Sequence, residues 1–351
     1  MKSKSNTRST PSKTNVTMRD VAAAASVSLG TVSRVANKHP SVKPLVRARV
    51  EAAIAATGWQ PNVVAQSMRT ATTKAIGCLL PDSRNPLFAA MVKGAEEVAR
   101  RYGYAFILAN SNGEIEHEIE LLKLLLQRRV DGLLFAPSDE YDARMIRLIE
   151  STHVPIVLVE REFPEKCDHV VSNQCNGIHQ AAEYLLSLGH RRIALITGAS
   201  SIRPGRERFK GFVQAHEAAG LPIDQKLLRL DSLDAAYGYQ EVQSLMSMET
   251  PPTAIILGGN MMLAGALRAL TLKGVQVPQD VSIIAVGDTD LAELASPPIT
   301  TVRWDLEDMG RNAAQVLLAR MQGSALKSSQ THCITIPTEI VLRRSCRAQR
   351  D

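Results

Sequence analysis

From residue 75 onward the chain alternates short apolar runs with longer stretches whose apolar residues recur every three or four positions. The runs are AIGCLLP (75–81), AFILAN (105–110), DGLLFAP (131–137), PIVLVE (155–160), RIALITG (192–198), TAIILGG (253–259) and SIIAVG (282–287). Short, nearly continuous apolar runs rich in Ile, Val and Leu are the pattern of strands covered on both faces. Their alternation with helical stretches predicts α/β folding with parallel sheets. The runs form two similar halves, and a break near residue 172 makes two doubly wound lobes. In such sheets ligands sit outside the carboxyl ends of the strands, so two facing lobes enclose a cleft.

Residues 16–60 follow a different rhythm. Thr17 and Asp20 have the spacing of a capping box, and helix formers run from Met18 to Ala25. Ser28 is placed to cap a second helix, Leu29 to Asn37, which leaves Ala25-Ser26-Val27 as the tight connection of a helix-turn-helix. Val21, Val27, Val32 and Val35 supply the seam. A third helix fits Pro44 to Ala56, with Pro44 at its first position and Ala48, Ala52 and Ala55 or Ile54 facing inward. The prediction is an all-α head on an α/β body.

Charge separates the same two parts. The first 75 residues hold 12 Lys and Arg against Asp20 and Glu51, a charge of +10 in a chain whose total is +6, leaving about −4 for the rest. A basic head on a mildly acidic body points to a polyanion partner. The length of 351 residues fits two or three domains, and 45% hydrophobic with 22% charged residues fits a soluble globular protein. Residues 1–15 carry no apolar core of a secretory signal and read as a disordered basic arm. No run approaches the ~18 apolar residues of a membrane span. Five cysteines without a C-x-x-C pair fit a reducing cytoplasm.

The second head helix offers Leu29, Gly30, Thr31, Ser33 and Arg34 on its outer face. Arg matches guanine through two hydrogen bonds and Leu packs on a thymine methyl, so this set suits the major groove. Trp59 is the sole aromatic in the first 75 residues, which disfavours single strands that need stacking platforms. Cys167, His169, Cys175 and His179 lack a zinc-ligand spacing. EIEHEIELLKLLLQRR (114–129) is an amphipathic helix with a core Leu stripe and a solvated Glu run. No G-x-S-x-G, Walker A or dinucleotide fingerprint joins a strand to a helix, so neither an enzyme activity nor a cofactor is expected.

The stretch MRDVAAAASVSLGTVSRVANKHPSVKPLVRARVEAAIAATGWQPNVVAQSMR resembles the DNA-binding head of the lactose/galactose repressor (LacI/GalR) family, and IGCLLPDSRNPLF, VDGLLFAP, GHRRIALITG, RFKGFVQAHEAAGL and SPPITTVRWD extend the likeness to nearly the whole chain. The resemblance implies a periplasmic-binding-protein-like core over 75–345 that crosses between lobes near 172, 304 and 332. Lobe one then covers about 75–172 and 305–332, lobe two about 173–304 and 333–345, and 346–351 form a tail. It places a hinge over 61–74, and the DNA contacts at Thr17, Ser28, Leu29, Gly30, Thr31, Ser33, Arg34, Asn37, Ser41, Ala65 and Met68, the last in the minor groove where Leu is usual. Effector contacts fall at Asp82, Asn85, Phe88, Glu160, Arg161, Arg208, Asn260 and Asp288. Amide, carboxylate and guanidinium groups with one aromatic face make a polyol site.

The implied protein is a cytoplasmic, nucleoid-associated regulator, a repressor acting as a homodimer on double-stranded operator DNA under control of a small carbohydrate. A solute-binding protein of sugar transport shares the body but has no use for the basic head, and no leucine heptad follows residue 345 to build a tetramer. Four departures stand out. Ser26 replaces a common turn Gly, and Lys43 replaces a Ser cap before Pro44. Gly287 stands where sugar-binding relatives place Asp, and Asn173-Gln174 where Asp-Asn is common. Two acids are lost while Arg161 and Arg208 remain, with Arg203 and Arg206 near them in sequence, which favours a sugar acid or phosphorylated sugar.

Overall fold

The computed structural model describes residues 16–60, 72–163, 167–323 and 331–349, and the chain divides between Thr73 and Lys74 into two compact units. In the first, α1 (Met18–Ala24), α2 (Leu29–Ala36) and α3 (Pro44–Thr57) pack around Val21, Ala22, Ala25, Val32, Val35, Val50, Ala53 and Trp59. Asp20 Oδ2 accepts from the Thr17 amide and hydroxyl, both at 2.8 Å, and Ser28 Oγ accepts from the Thr31 amide at 3.2 Å. The two amide bonds satisfy donors that a helix start leaves open. Ser26 adopts φ +50°, the left-handed turn conformation that Gly takes more cheaply. The inward face of α3 differs from the expected one. Val50 and Ala53 are buried with the expected Ile54 packed beside them, while Ala48, Ala52 and Ala55 are exposed.

The second unit holds two six-stranded sheets, ordered β11-β5-β4-β3-β1-β2 and β12-β10-β9-β8-β6-β7. The first comprises β1 (Ala75–Leu80), β2 (Ala105–Asn110), β3 (Gly132–Phe135), β4 (Ile156–Val159), β5 (Asp168–Ser172) and β11 (Cys333–Ile336). The second comprises β6 (Ile193–Gly198), β7 (Leu228–Asp231), β8 (Ala254–Leu257), β9 (Ser282–Val286), β10 (Thr300–Arg303) and β12 (Glu339–Val341). The helices of the first lobe are α4 (Pro86–Arg101), α5 (Ile115–Gln127), α6 (Ala143–Ser151) and α12 (Leu306–Met321). Those of the second are α7 (Gln174–Ser187), α8 (Arg203–Ala218), α9 (Ala235–Leu245), α10 (Asn260–Lys273) and the short α11 (Asp290–Leu294).

The third crossing falls at 337–338 rather than near 332, because β11 pairs in parallel with β5, Cys333 opposite His169 and Ile336 opposite Ser172. Residues 333–336 therefore belong to lobe one. Every pairing is parallel except β10 with β12. The exception follows from the route. A chain leaving lobe one from the carboxyl end of a strand arrives at the cleft side of lobe two and must run away from the cleft, against its neighbours. Residues 346–349 are not a loose tail either: the Arg347 amide donates to Ser282 Oγ and the Gln349 amide to the Leu188 carbonyl.

Helix α4 starts at Pro86, capped by Asn85 Oδ1 accepting from the Leu87 amide at 3.0 Å. It lies against α12 so closely that a Cβ at Gly94 would strike the Glu307 carbonyl and one at Gly310 the Met91 carbonyl. Helix α5 buries Ile119, Leu122 and Leu125, but also Glu118, which the sequence pattern places on the solvated face. Its carboxylate accepts from Ser111 Oγ, Ser138 N and Ser138 Oγ at 2.7–3.0 Å, hydrogen bonds that replace the lost water.

Candidate functional site

Two surfaces carry the chemistry expected from the sequence. On the head, Leu29 is 44% exposed, Gly30 and Arg34 are exposed, and Thr31 and Ser33 are half-buried. Arg34 Nε donates to the Gly30 carbonyl at 3.2 Å, which lays the guanidinium back along α2 over Gly30. A Cβ at Gly30 would meet nothing nearer than 3.8 Å, so the surface there is open. Asn37 Nδ2 donates to the Ser33 carbonyl at 2.7 Å, and Ser41 Oγ lies 2.9 Å from His39 Nδ1. Thr17 is engaged with Asp20, whose carboxyl the Thr17 backbone and hydroxyl hold below its ordinary value. Ala65 and Met68 lie outside the described residues.

In the core, a cavity of about 650 Å³ opens between the lobes at the carboxyl ends of the strands. Asp82, Asn85, Phe88, Glu160, Arg161, Arg208 and Asn260 all line it. Asp288 does not. Arg343 grips both its carboxylate oxygens at 2.7 and 3.1 Å, and Thr301 Oγ1 donates to it at 3.1 Å, so it ties β10 to the C-terminal segment. Arg203 and Arg206 turn to Glu140 and Glu162 instead of the cavity centre. Gly287 takes φ +95°, and a Cβ there would crowd Leu87 and Asn260 at 3.0–3.2 Å. A side chain at that position would be strained on both counts.

The floor of the cavity is a chain of buried polar groups. Glu160 ends β4 with φ +55°, a strained conformation for a residue with a side chain, and accepts from Ser172 Oγ at 2.5 Å. Gln174 Nε2 donates to the same hydroxyl at 2.5 Å, and Arg208 Nε donates to Gln174 Oε1 at 2.9 Å. Arg208 Nη1 donates to the Gly258 carbonyl. Burial lowers the Arg208 guanidinium to about 10, against the pull of Glu160. Arg161 is likewise buried and lowered, its Nε donating to the Pro137 carbonyl at 2.6 Å and its Nη1 to the Glu160 carbonyl at 2.9 Å. Both guanidiniums rest on uncharged oxygens, the weaker class of partner.

Gln174, Ser138, Asp231, Ser232, Asp234 and Trp304 also line the cavity without having been singled out as contacts. A usable signal existed. Each follows the end of a strand or sits at a lobe crossing, but β7 and β10 are short, and β7, an edge strand, is only half-covered.

A basic helix-turn-helix followed in the chain by a two-lobed α/β body with a polar cleft defines a ligand-responsive DNA-binding regulator. Residues 17–62 match the model for bacterial regulatory proteins of the lacI family, and 182–346 match the periplasmic binding protein-like domain. The chain is 34% identical over 332 residues to the HTH-type transcriptional regulator DegA of Bacillus subtilis (strain 168), covering 94% of this chain and 97% of that one. It is 33% identical to the HTH-type transcriptional repressor PurR of Actinobacillus pleuropneumoniae serotype 3 (strain JL03), covering 94% and 98%. Among solved structures, the Lac repressor dimer bound to operator and the anti-inducer ONPF matches with a TM-score of 0.83 at 27% identity, over 95% and 99% of the two chains. The transcriptional regulator CelR–cellobiose complex matches with a TM-score of 0.71 at 31% identity, over 94% and 99%. The chain belongs to the LacI family: it is a DNA-binding transcriptional regulator and not an enzyme. No described helix is long and apolar enough to cross a membrane.

Proposed function

We propose that this protein is a repressor that binds a near-palindromic operator as a homodimer in the cytoplasm, and that its effector is a small polyol bearing a negative charge, a sugar acid or a phosphorylated sugar. The observation that carries the effector class is Arg208, a buried guanidinium lining a ligand-sized cavity with only neutral acceptors in hydrogen-bond contact. Asp82 pairs with Arg84 at 3.0 Å and Asp288 with Arg343, Glu160 accepts from Ser172 and attracts Arg208 without a hydrogen bond to it, and Asp231 and Asp234 also line the cavity. An anionic group on the ligand supplies the hydrogen-bonded charge partner that Arg208 lacks in the free protein. CelR is recorded with cellobiose and another family member with ribose, both neutral sugars. What sets this cleft apart is the loss of acids at Gly287 and Asn173-Gln174 beside the retained Arg208.

The regulatory step follows from a two-state cleft. A ligand that touches both lobes favours one arrangement of them, and in a dimer that arrangement fixes the spacing of the two heads. Calorimetry on the full-length protein with gluconate, a hexose phosphate and the parent neutral hexose tests the effector class. Binding of at least one anion and loss of that binding in Arg208→Met is expected. Tight binding of the neutral hexose with no binding of either anion overturns it.

A further inference from the structure

Helix α8, which carries Arg208, begins against the usual rules. Its N-cap is Ile202, whose side chain accepts nothing, its first turn contains no acid, and that turn holds two arginines, Arg203 and Arg206. Cations at the positive end of a helix are unfavourable, and an uncapped end leaves donors unsatisfied. The deficit is made good from the other lobe. Glu140, on the loop after β3 and fully buried, points its carboxylate across the cleft. Its Oε1 accepts from the Arg203 amide at 2.9 Å, and its Oε2 pairs with Arg206 Nη2 at 2.5 Å. The Glu140 amide in turn donates to the Ser201 carbonyl at 3.0 Å.

Glu162 of lobe one completes the contact, 3.1 Å from Arg206 and 3.3 Å from Arg203, and its own amide donates to Glu140 Oε1 at 3.3 Å. Tyr141 presents its ring 5.2 Å from the Arg206 guanidinium. Lobe one thus brings two carboxylates and an aromatic face to this junction, and lobe two brings two guanidiniums and an open helix end. The charges balance only when the lobes meet.

We propose that Glu140 is a positioning residue for the effector site: a carboxylate of lobe one that serves as the missing cap of α8, so that lobe closure and the seating of Arg208 are one event. This rests on the reading of Arg208 as the effector contact, but the capping itself needs no ligand. Opening the lobes withdraws the cap and leaves the charges of Arg203 and Arg206 without these partners at a positive helix end. The start of α8 then loosens, little more than one turn before Arg208. Glu162 is 42% exposed and contributes less, since solvent screens it.

Hydrogen exchange and small-angle scattering of the ligand-free full-length protein test this directly. In Glu140→Ala the amides of Arg203, Gly205 and Arg206 should exchange faster by roughly fivefold, the size of a lost helix cap, while β6 and α10 keep parental rates. The radius of gyration should rise. Glu140→Gln, which keeps an acceptor for the Arg203 amide but no charge for Arg206, should fall between the two, and should Glu140→Ala fail to fold, the same signatures are read on Glu140→Gln. Parental exchange at 203–206 together with an unchanged radius overturns the proposal, as does acceleration spread evenly over the whole of lobe two. Neither result bears on whether an anion binds Arg208, which the calorimetry decides separately.

Discussion

Asn260 Nδ2 donates to Asn85 Oδ1 at 3.0 Å, a single hydrogen bond that joins the first residue of α10 in lobe two to the cap of α4 in lobe one. The same Asn85 oxygen accepts from the Leu87 amide, so one atom both starts a helix and bridges the cleft. The two residues should therefore respond unequally to truncation. Asn260→Ala loses one partly solvated bond, about 0.5 to 1 kcal/mol. Asn85→Ala loses the bond and the cap, about 1.5 to 2.5 kcal/mol together. Urea unfolding of both variants checks this, and equal losses would mean that the cap contributes nothing.

On the head, Arg34→Ala should reduce operator discrimination more than general DNA binding. A lost two-bond guanine contact costs ~1 to 3 kcal/mol at one base pair, while phosphate contacts elsewhere persist. The open space above Gly30 gives a second handle: Gly30→Gln should shift the preferred sequence, because a long amide then reaches a base edge. Selection from a randomised DNA pool with each variant reads both effects, and an unchanged preference for Gly30→Gln would show that this face does not meet the bases.

Asp168, at the start of β5, is held by Arg320 of α12 through two bonds at 2.7 and 2.8 Å and accepts from the His332 amide at 2.8 Å. Burial alone would raise its carboxyl, but the arginine and the amide outweigh burial and keep it below the ordinary 3.8. A carboxyl lowered on folding stabilises the protein above its unfolded value, and that contribution disappears as pH falls through the lowered folded value. Asp168→Asn should cost roughly 2 to 3 kcal/mol at pH 7, below a fully buried pair because Arg320 keeps some solvent. The gap between parent and variant melting temperatures should narrow only below that ordinary value. A gap independent of pH down to acid unfolding would assign the cost to shape rather than charge.

The alternation of apolar runs made the doubly wound lobes readable, because strands covered on both faces need nearly continuous Ile, Val and Leu, as in β4, β8 and β9. β11 was harder to assign. CITI is followed at once by Pro337 and EIV, and nothing local says which sheet each strand joins; only the parallel register with β5 decides. Glu118 reads as a surface acid for the same reason, and nothing local marks Glu140 as buried. Their burial depends on partners 20 or more residues away, Ser138 for one and Arg203 for the other. Asp288 shows the reverse case, since its position in the sequence fits a ligand contact, but Arg343, 55 residues later, occupies it. Local pattern locates the strand ends, and pairing across the chain decides which of their side chains are left for a ligand.

Arg208 brings the last prediction, in which stability and binding move apart. Its guanidinium is 5% exposed and burial draws it down to about 10, so the charged form is disfavoured in the folded chain and that penalty is present throughout the neutral range. A group that costs stability when unliganded and gains a partner on binding should be replaceable without harm to the free protein. Arg208→Met, of similar length and uncharged, should leave the ligand-free melting temperature unchanged or higher, because exchanging a buried charge for an apolar side chain is often neutral or stabilising. The parent should gain about 2.7 kcal/mol, or roughly 5 to 10 °C, at a hundredfold excess of an anionic sugar over its Kd, and the variant should gain none. Thermal shifts with gluconate and a hexose phosphate measure both. A ligand-free variant that melts well below the parent would recast Arg208 as a structural tie between Gln174 and Gly258, and an undiminished shift in the variant would remove it from the site.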